Sequence, residues 1–172
     1  MKAQAKQIEK LFTDDSQKWL STYLPRIVSS LRTLSEKEIW WRPNAASNSA
    51  GNLVLHLCGN MRQWIISGLG GADDIRVRDK EFAERGPILR RVLIAQLQKT
   101  VGESLRVLKR LPPEAMSQKY VIQGFHVTGL AAISQVTTHF SYHAGQIIYL
   151  AKLKAARDLR FTKLPAMTKN EK

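Results

Sequence analysis

Thr138-His139-Phe140-Ser141-Tyr142-His143-Ala144-Gly145-Gln146 reads as one side of an amphipathic α-helix, and the fold of the chain follows from it. At about 100° per residue, His139 and His143 differ by roughly 40° around the axis and Gln146 returns to within about 20° of His139. The three therefore share a face. Leu130, Ile133, Val136, Phe140, Ile147, Leu150 and Leu153 supply apolar faces to the same segment, which predicts a last helix from about Thr128 to Ala156.

Three more helices are legible upstream. Ile8, Leu11, Phe12, Trp19, Tyr23, Ile27, Leu31 and Leu34 recur near the helical period, giving a first helix from about Gln4 to Leu34. Pro25 lacks an amide donor and clashes with the preceding turn, so it is expected to kink or interrupt that helix. An irregular stretch with Trp40, Trp41, Arg42 and Pro43 follows. Asn44 to Ser49 offers N-caps for a second helix from about Ala50 to Ser67, with Leu53, His56, Leu57, Asn60 and Trp64 inward and Gly68, Gly70 and Gly71 as its stop. Ala72 to Gly86 is a charged connection with one helical turn expected around Lys80 to Ala83. Pro87 suits the first turn of a third helix carried by Leu89, Val92, Leu93, Leu97, Val101, Leu105 and Leu108 and ended by Pro112 and Pro113. Tyr120 to Val127 is β-prone, a small hairpin or an extended loop. The expected fold is all-α: a four-helix bundle with a long crossover connection and a small β-hairpin before the last helix.

The 172 residues suffice for one domain over 1–172, with a core at about 4–156 and a basic tail at about 157–172. No apolar run approaches the roughly 20 residues that span a bilayer. The N-terminal Met1-Lys2-Ala3-Gln4-Ala5-Lys6 lacks the apolar core of a signal peptide, and the single Cys58 cannot form an internal disulfide, so a cytoplasmic location is expected. The formal net charge is +13, densest from Lys152 to Lys172. Such charge permits an acidic partner, but it is spread along the chain without a nucleic-acid-binding motif. A solvated basic surface is the favoured reading, and nucleic acid is not the favoured partner.

His56 and Asn60 share a face of the second helix as His139 and His143 share a face of the last. Cys58 lies about 200° from His56 and is a poor ligand candidate. One histidine on an apolar stripe is ordinarily a core residue with a hydrogen-bond partner. Three would need three separate sets of partners, whereas one divalent cation satisfies all three acceptor nitrogens. Three neutral imidazoles suit zinc, nickel, iron or copper and leave a position open for water or substrate, the catalytic pattern. The His-Glu-x-x-His arrangement is missing, because Phe140 follows His139. A general base would come from elsewhere, with Glu81 in the charged connection as the candidate and solvated loop charge as its plainer reading. Asn60 and Gln146 are expected to support the ligands, contact substrate, or simply satisfy core hydrogen bonds. His126 is expected at the surface, and Trp19, Trp40, Trp41 and Trp64 in packing roles.

Trp40-Trp41-Arg42-Pro43, Asn48 to Asn60, Arg76-Val77-Arg78-Asp79-Lys80-Glu81-Phe82 and His139 to Ile147 together resemble the DinB/YfiT-like superfamily of bacterial metal-binding four-helix bundles, in a subfamily of unknown function. The resemblance implies a divalent metal, often nickel or zinc, on His56, His139 and His143. It also implies a homodimer, and in some relatives a transferase or isomerase that uses a low-molecular-weight thiol.

Four readings of function remain open at this level. The first is a metal-dependent S-transferase acting on a small molecule, with Arg62 or Arg78 holding carboxylates of the thiol. The second is a metal-dependent hydrolase on the same ligands. The third is a non-enzymatic nucleic-acid-binding or stress-response module. The fourth is a structural bundle with buried, metal-free histidines.

Overall fold

The computed structural model describes residues 2–161. Helix α1 (Lys2–Thr33) is followed by a short α2 (Glu36–Ile39), α3 (Ala50–Met61), a π-helical segment Arg62–Ser67, α4 (Arg78–Ala83), α5 (Arg90–Arg110), a 3-10 turn Pro113–Met116, a hairpin of β1 (Lys119–Ile122) and β2 (Phe125–Thr128), and α6 (Gly129–Ala155). The long helices α1, α3, α5 and α6 make an all-α four-helix bundle. α1 lies along α6 and α5, and α3 packs against α5 and α6. Leu20, Ile27 and Leu31 of α1, Leu57 and Met61 of α3, Leu93 and Leu97 of α5, and Ile133, Phe140 and Ile147 of α6 are buried between them. Each such side chain taken out of water stabilises the bundle by about 1.5–3 kcal/mol.

Local chemistry explains the element ends. Ser49 caps α3 in a reciprocal box: its hydroxyl accepts from the Asn52 amide at 3.1 Å while Asn52 Oδ1 accepts from the Ser49 amide at 3.3 Å. Ser35 and Glu38 make the same box for α2, an element the sequence reading passed over as irregular. Thr128 caps α6 through the Ala131 amide. The hairpin pairs Ile122 with Phe125 in antiparallel register, and Trp64 of the π-helical segment donates to Gln123 at its turn.

Several expectations are corrected. α1 continues through Pro25 without a break: proline removes one amide donor, and the buried Leu20, Ile27 and Leu31 hold both halves to the same core. Ile8 and Leu11 are exposed, so the inward stripe of α1 begins only further along. The second helix is α-helical only to Met61; beyond it the Gly68 amide bonds to Gln63 O and the Gly70 amide to Ile65 O, one residue further back than in an α-helix. α5 starts at Arg90, so Pro87 lies before the helix rather than in its first turn. Leu89 and Val92 are correspondingly exposed, as are Leu130 and Leu153 of α6. Trp64 is buried and Trp40 and Trp41 pack against the core, whereas Trp19 is exposed and bonds to Asp15. Most of the basic tail lies outside the described residues; within them Lys152 pairs with Asp158 at 3.0 Å. Among the described residues no helix is long and apolar enough to cross a membrane.

Candidate metal centre

The crossover between α3 and α5 is fastened to α3 by one amide. Asn52 is fully buried, and its Nδ2 donates to the carbonyls of Glu81 and Glu84 at 2.8 and 2.9 Å. Its Oδ1 accepts from Arg42 Nη2 at 2.8 Å, and Arg42 also donates to Phe82 O. These bonds seat α4 over the middle of α3, where His56 lies one turn beyond Asn52.

His56 then meets the two histidines of α6. His56 Nε2 lies 3.0 Å from His139 Nε2, which lies 3.1 Å from His143 Nε2. One ligand atom from each lies within 4.8 Å of the others. The outer nitrogens of two rings are taken. His56 Nδ1 faces Glu81 Oε2 at 2.9 Å, and His143 Nδ1 faces Gln146 Oε1 at 2.7 Å. Both oxygens are acceptors, and the Glu81 contact is shorter than the 3.2 Å approach of Arg76 Nη2 to the same His56 Nδ1, so we assign the proton to each Nδ1 and an inward lone pair to each Nε2. His139 Nε2 stands between two lone pairs and can satisfy only one as a donor. Its own Nδ1 is buried with no hydrogen-bond partner.

This donor set fits a cation. A metal holding two imidazoles at about 2.0–2.1 Å sets their nitrogens about 2.9–3.4 Å apart for ordinary bond angles, which brackets both separations. Burial first, then the neighbouring His143, His56 and Arg76 charges, holds His139 down to about 3, with Glu81 working in the opposite direction. His143 is lowered as well, by burial first and by His56, against the upward pull of Gln146. Both rings are therefore neutral near pH 7, with lone pairs available to a cation.

Glu81 is not a solvated loop charge. It is 8 % exposed and held from two sides. Arg76 Nε donates to Oε1 at 2.7 Å and Arg76 Nη2 to Oε2 at 2.9 Å. Burial pushes the Glu81 carboxyl up, but the bonds from Arg76 and His56 outweigh it and the net direction is down. The carboxylate lies directly on Gly59: a Cβ there would come within 1.8 Å of Glu81 Oε1. Glycine is required at that position by this close approach.

The remaining candidates separate clearly. Asn60 is buried one turn from His56, with Oδ1 unpartnered. Phe82 packs on the His56 ring at 4.6 Å, and Arg78 lies over Phe82 at 4.9 Å. Tyr142 sets its ring 4.9 Å from His143. Arg62 lines a groove with Cys58, Lys99 and Glu103 that also reaches Arg76 and Glu81, whereas Arg78 adjoins the His56 ring through Phe82. Burial pushes the Cys58 thiol up to about 12, and it takes no part in the cluster. His126 is exposed on β2. Arg76, Asn52 and Phe82 stood in the sequence only within the stretches that carry the family resemblance, with no role of their own. The available signal was Phe82 itself, the only aromatic residue in the charged stretch from Ala72 to Gly86.

A DinB-like protein of Bacillus subtilis superposes on this fold with a TM-score of 0.63, covering 88% of this chain and 96% of its own at 16% sequence identity. At that identity the likeness establishes the fold. No curated protein matches the chain. The sequence matches the family described as "Protein of unknown function (DUF1572)" over residues 7–168, nearly its whole length. This protein, a DinB-like bundle with a three-histidine cluster compatible with a metal site, belongs to that family.

Proposed function

We propose that the protein is a metal-dependent enzyme in which His56, His139 and His143 hold one divalent transition metal, nickel or zinc, and leave positions open to a small-molecule substrate. The observation that carries this reading is the convergence of three Nε2 atoms while Glu81 and Gln146 occupy the outer nitrogens of His56 and His143. A bound divalent cation supplies Lewis acidity, lowering the pKa of a thiol or water brought to it.

The chain's own residues do the positioning. Glu81 fixes the tautomer and angle of His56, and Gln146 does the same for His143. Arg76 neutralises Glu81, so three uncharged rings and a cancelled ion pair leave the metal's positive charge uncompensated. Arg78, steadied on Phe82, adds a second positive charge beside His56. An anionic or readily ionised substrate suits this environment.

Transfer from a low-molecular-weight thiol is the favoured reaction. Both Glu81 oxygens are engaged and its pKa is lowered, which makes it a poor general base for a water-activating hydrolase. Thiol transfer relies less on such a base, because a thiol ionises far more readily than water. The test is elemental analysis of untagged protein followed by a panel of thiols with electrophilic acceptors. About one metal per chain and metal-dependent thiol consumption are expected. Turnover of esters or amides that thiols leave unaffected would favour hydrolysis. Absence of metal after incubation with nickel and zinc would refute the site.

A further inference from the structure

A groove of about 590 Å³ runs along α6 beside the histidines, between Tyr142, Gln146 and Tyr149 on the helix and Pro43 and Asn48 on the loop before α3. Its size lies within the roughly 300–1,000 Å³ typical of small-molecule sites. Tyr142 and Tyr149 are 62% and 67% exposed, an unusual display of two aromatic rings seven residues apart on one helix face. Between them stands Gly145. Glycine is a poor helix former, and a Cβ at Gly145 would meet nothing within 4 Å. Packing therefore does not require glycine there. Its bare Cα lines the groove between the two tyrosines.

Gln146 joins the groove to the histidines. Its Oε1 accepts from His143 Nδ1, and its amide Nε2 has no hydrogen-bond partner among the described residues. Seven helical residues separate the tyrosines by roughly 10 Å along the axis. That is the length of a one- or two-ring planar compound with its van der Waals edges. We infer that this groove binds a planar ring compound bearing a hydrogen-bond acceptor, a carbonyl or a ring nitrogen. The ring lies over Gly145 against the tyrosines, and its acceptor takes the free Gln146 amide proton. Because Tyr142 touches His143 and Gln146 holds it, occupancy of the groove is felt at that ring. The groove stands on its own residues; only this coupling to a bound metal rests on the proposed function.

The experiment titrates the metal-free protein with benzamide and nicotinamide, with cyclohexanecarboxamide as a non-planar control, following backbone amide shifts by NMR. Saturable shifts centred on Tyr142, Gly145 and Gln146 are expected, with the control binding about fivefold more weakly or worse. Gly145→Leu fills the groove and favours the helix, so affinity should fall about tenfold or more while circular dichroism and Tm are retained. Tyr149→Ala, at an exposed position, should weaken binding about fivefold without touching the core. Shifts scattered over the surface, equal binding of the control, or undiminished binding by both variants would overturn the inference. A cobalt-loaded sample separates the two readings. Benzamide should perturb the cobalt d–d bands, and unchanged bands at saturation would overturn the coupling. Normal groove titration in a protein that takes no cobalt would sink the metal site and leave the groove intact; one equivalent of cobalt with no titration would do the reverse.

Discussion

His56 Nδ1 and Glu81 Oε2, 25 residues apart in sequence, lie 2.9 Å apart in a contact that joins the crossover to the bundle core. Glu81 would be an expensive buried charge on its own. Arg76, whose side chain is 3% exposed, makes it tolerable. Replacing Glu81 by Gln keeps the shape and much of the hydrogen bonding but removes the charge that polarises His56. Metal affinity should then fall about 10–100-fold with little change in fold, measured by competition with a chromophoric chelator. Arg76→Ala instead leaves the carboxylate buried and unpaired and should cost about 3–5 kcal/mol of stability. Affinity unchanged in Glu81→Gln would show that His56 needs no partner.

Gly59→Ala provides an independent route to the same contact. In an exposed helix interior this exchange stabilises by about 1 kcal/mol. Here the new methyl would occupy the position of the Glu81 carboxylate, at 1.8 Å from Oε1. The Glu81–Arg76 pair must move, and His56 loses its partner. The variant should therefore resemble Glu81→Gln in metal affinity and also lose stability. A variant as stable as the parent or more so, with full affinity, would mean that the crossover relaxes without consequence.

These contacts mark the boundary of what sequence alone reveals. His56, His139 and His143 are legible because helical spacing is a local rule: i and i+4 face one way whatever surrounds them. The bundle is legible for the same reason, from apolar positions at the helical period. The Glu81 environment is not, because it depends on where a charged, weakly patterned connection lands on another element. Composition there favours solvent, and the decisive bonds come from Asn52 and Arg76, 29 and 5 residues away. The switch from α to π geometry after Met61 has no clear local signature either. The Ser35–Glu38 capping box does, and it was readable in principle.

Removing the metal should lower thermal stability reversibly. A ligand bound only by the folded state at a concentration of 100 times its Kd contributes about 2.7 kcal/mol. For a chain of this size that corresponds to a Tm change of about 5–11 °C. Chelation should produce that loss, and re-addition of nickel or zinc should restore it. His139→Ala should abolish the difference between the two states, because it removes the central nitrogen of the three. A chelator-independent Tm would instead favour a metal-free structural bundle.

The pH dependence of the metal-free protein tests the crowding of the rings directly. His139 is held down to about 3 from an ordinary value of 6.5, by burial first and then by its charged neighbours, and His143 shifts in the same direction. Between those limits the unfolded chain binds more protons than the folded one, so stability rises with pH. The contribution is complete above about pH 6.5 and is lost as pH falls toward 3. Glu81, lowered from 4.5, adds its own loss only below about that value. The range from pH 6.5 down to 4.5 therefore isolates the histidines from Glu81. Urea midpoints should fall steadily across it, and His139→Leu should flatten the slope. The loaded protein should keep its metal through most of the same range, because protons compete poorly for imidazoles already biased toward the neutral form. A flat profile in the parent would mean that the folded protein accepts protons on these rings freely, which three nitrogens confined within 4.8 Å of one another cannot do without repulsion.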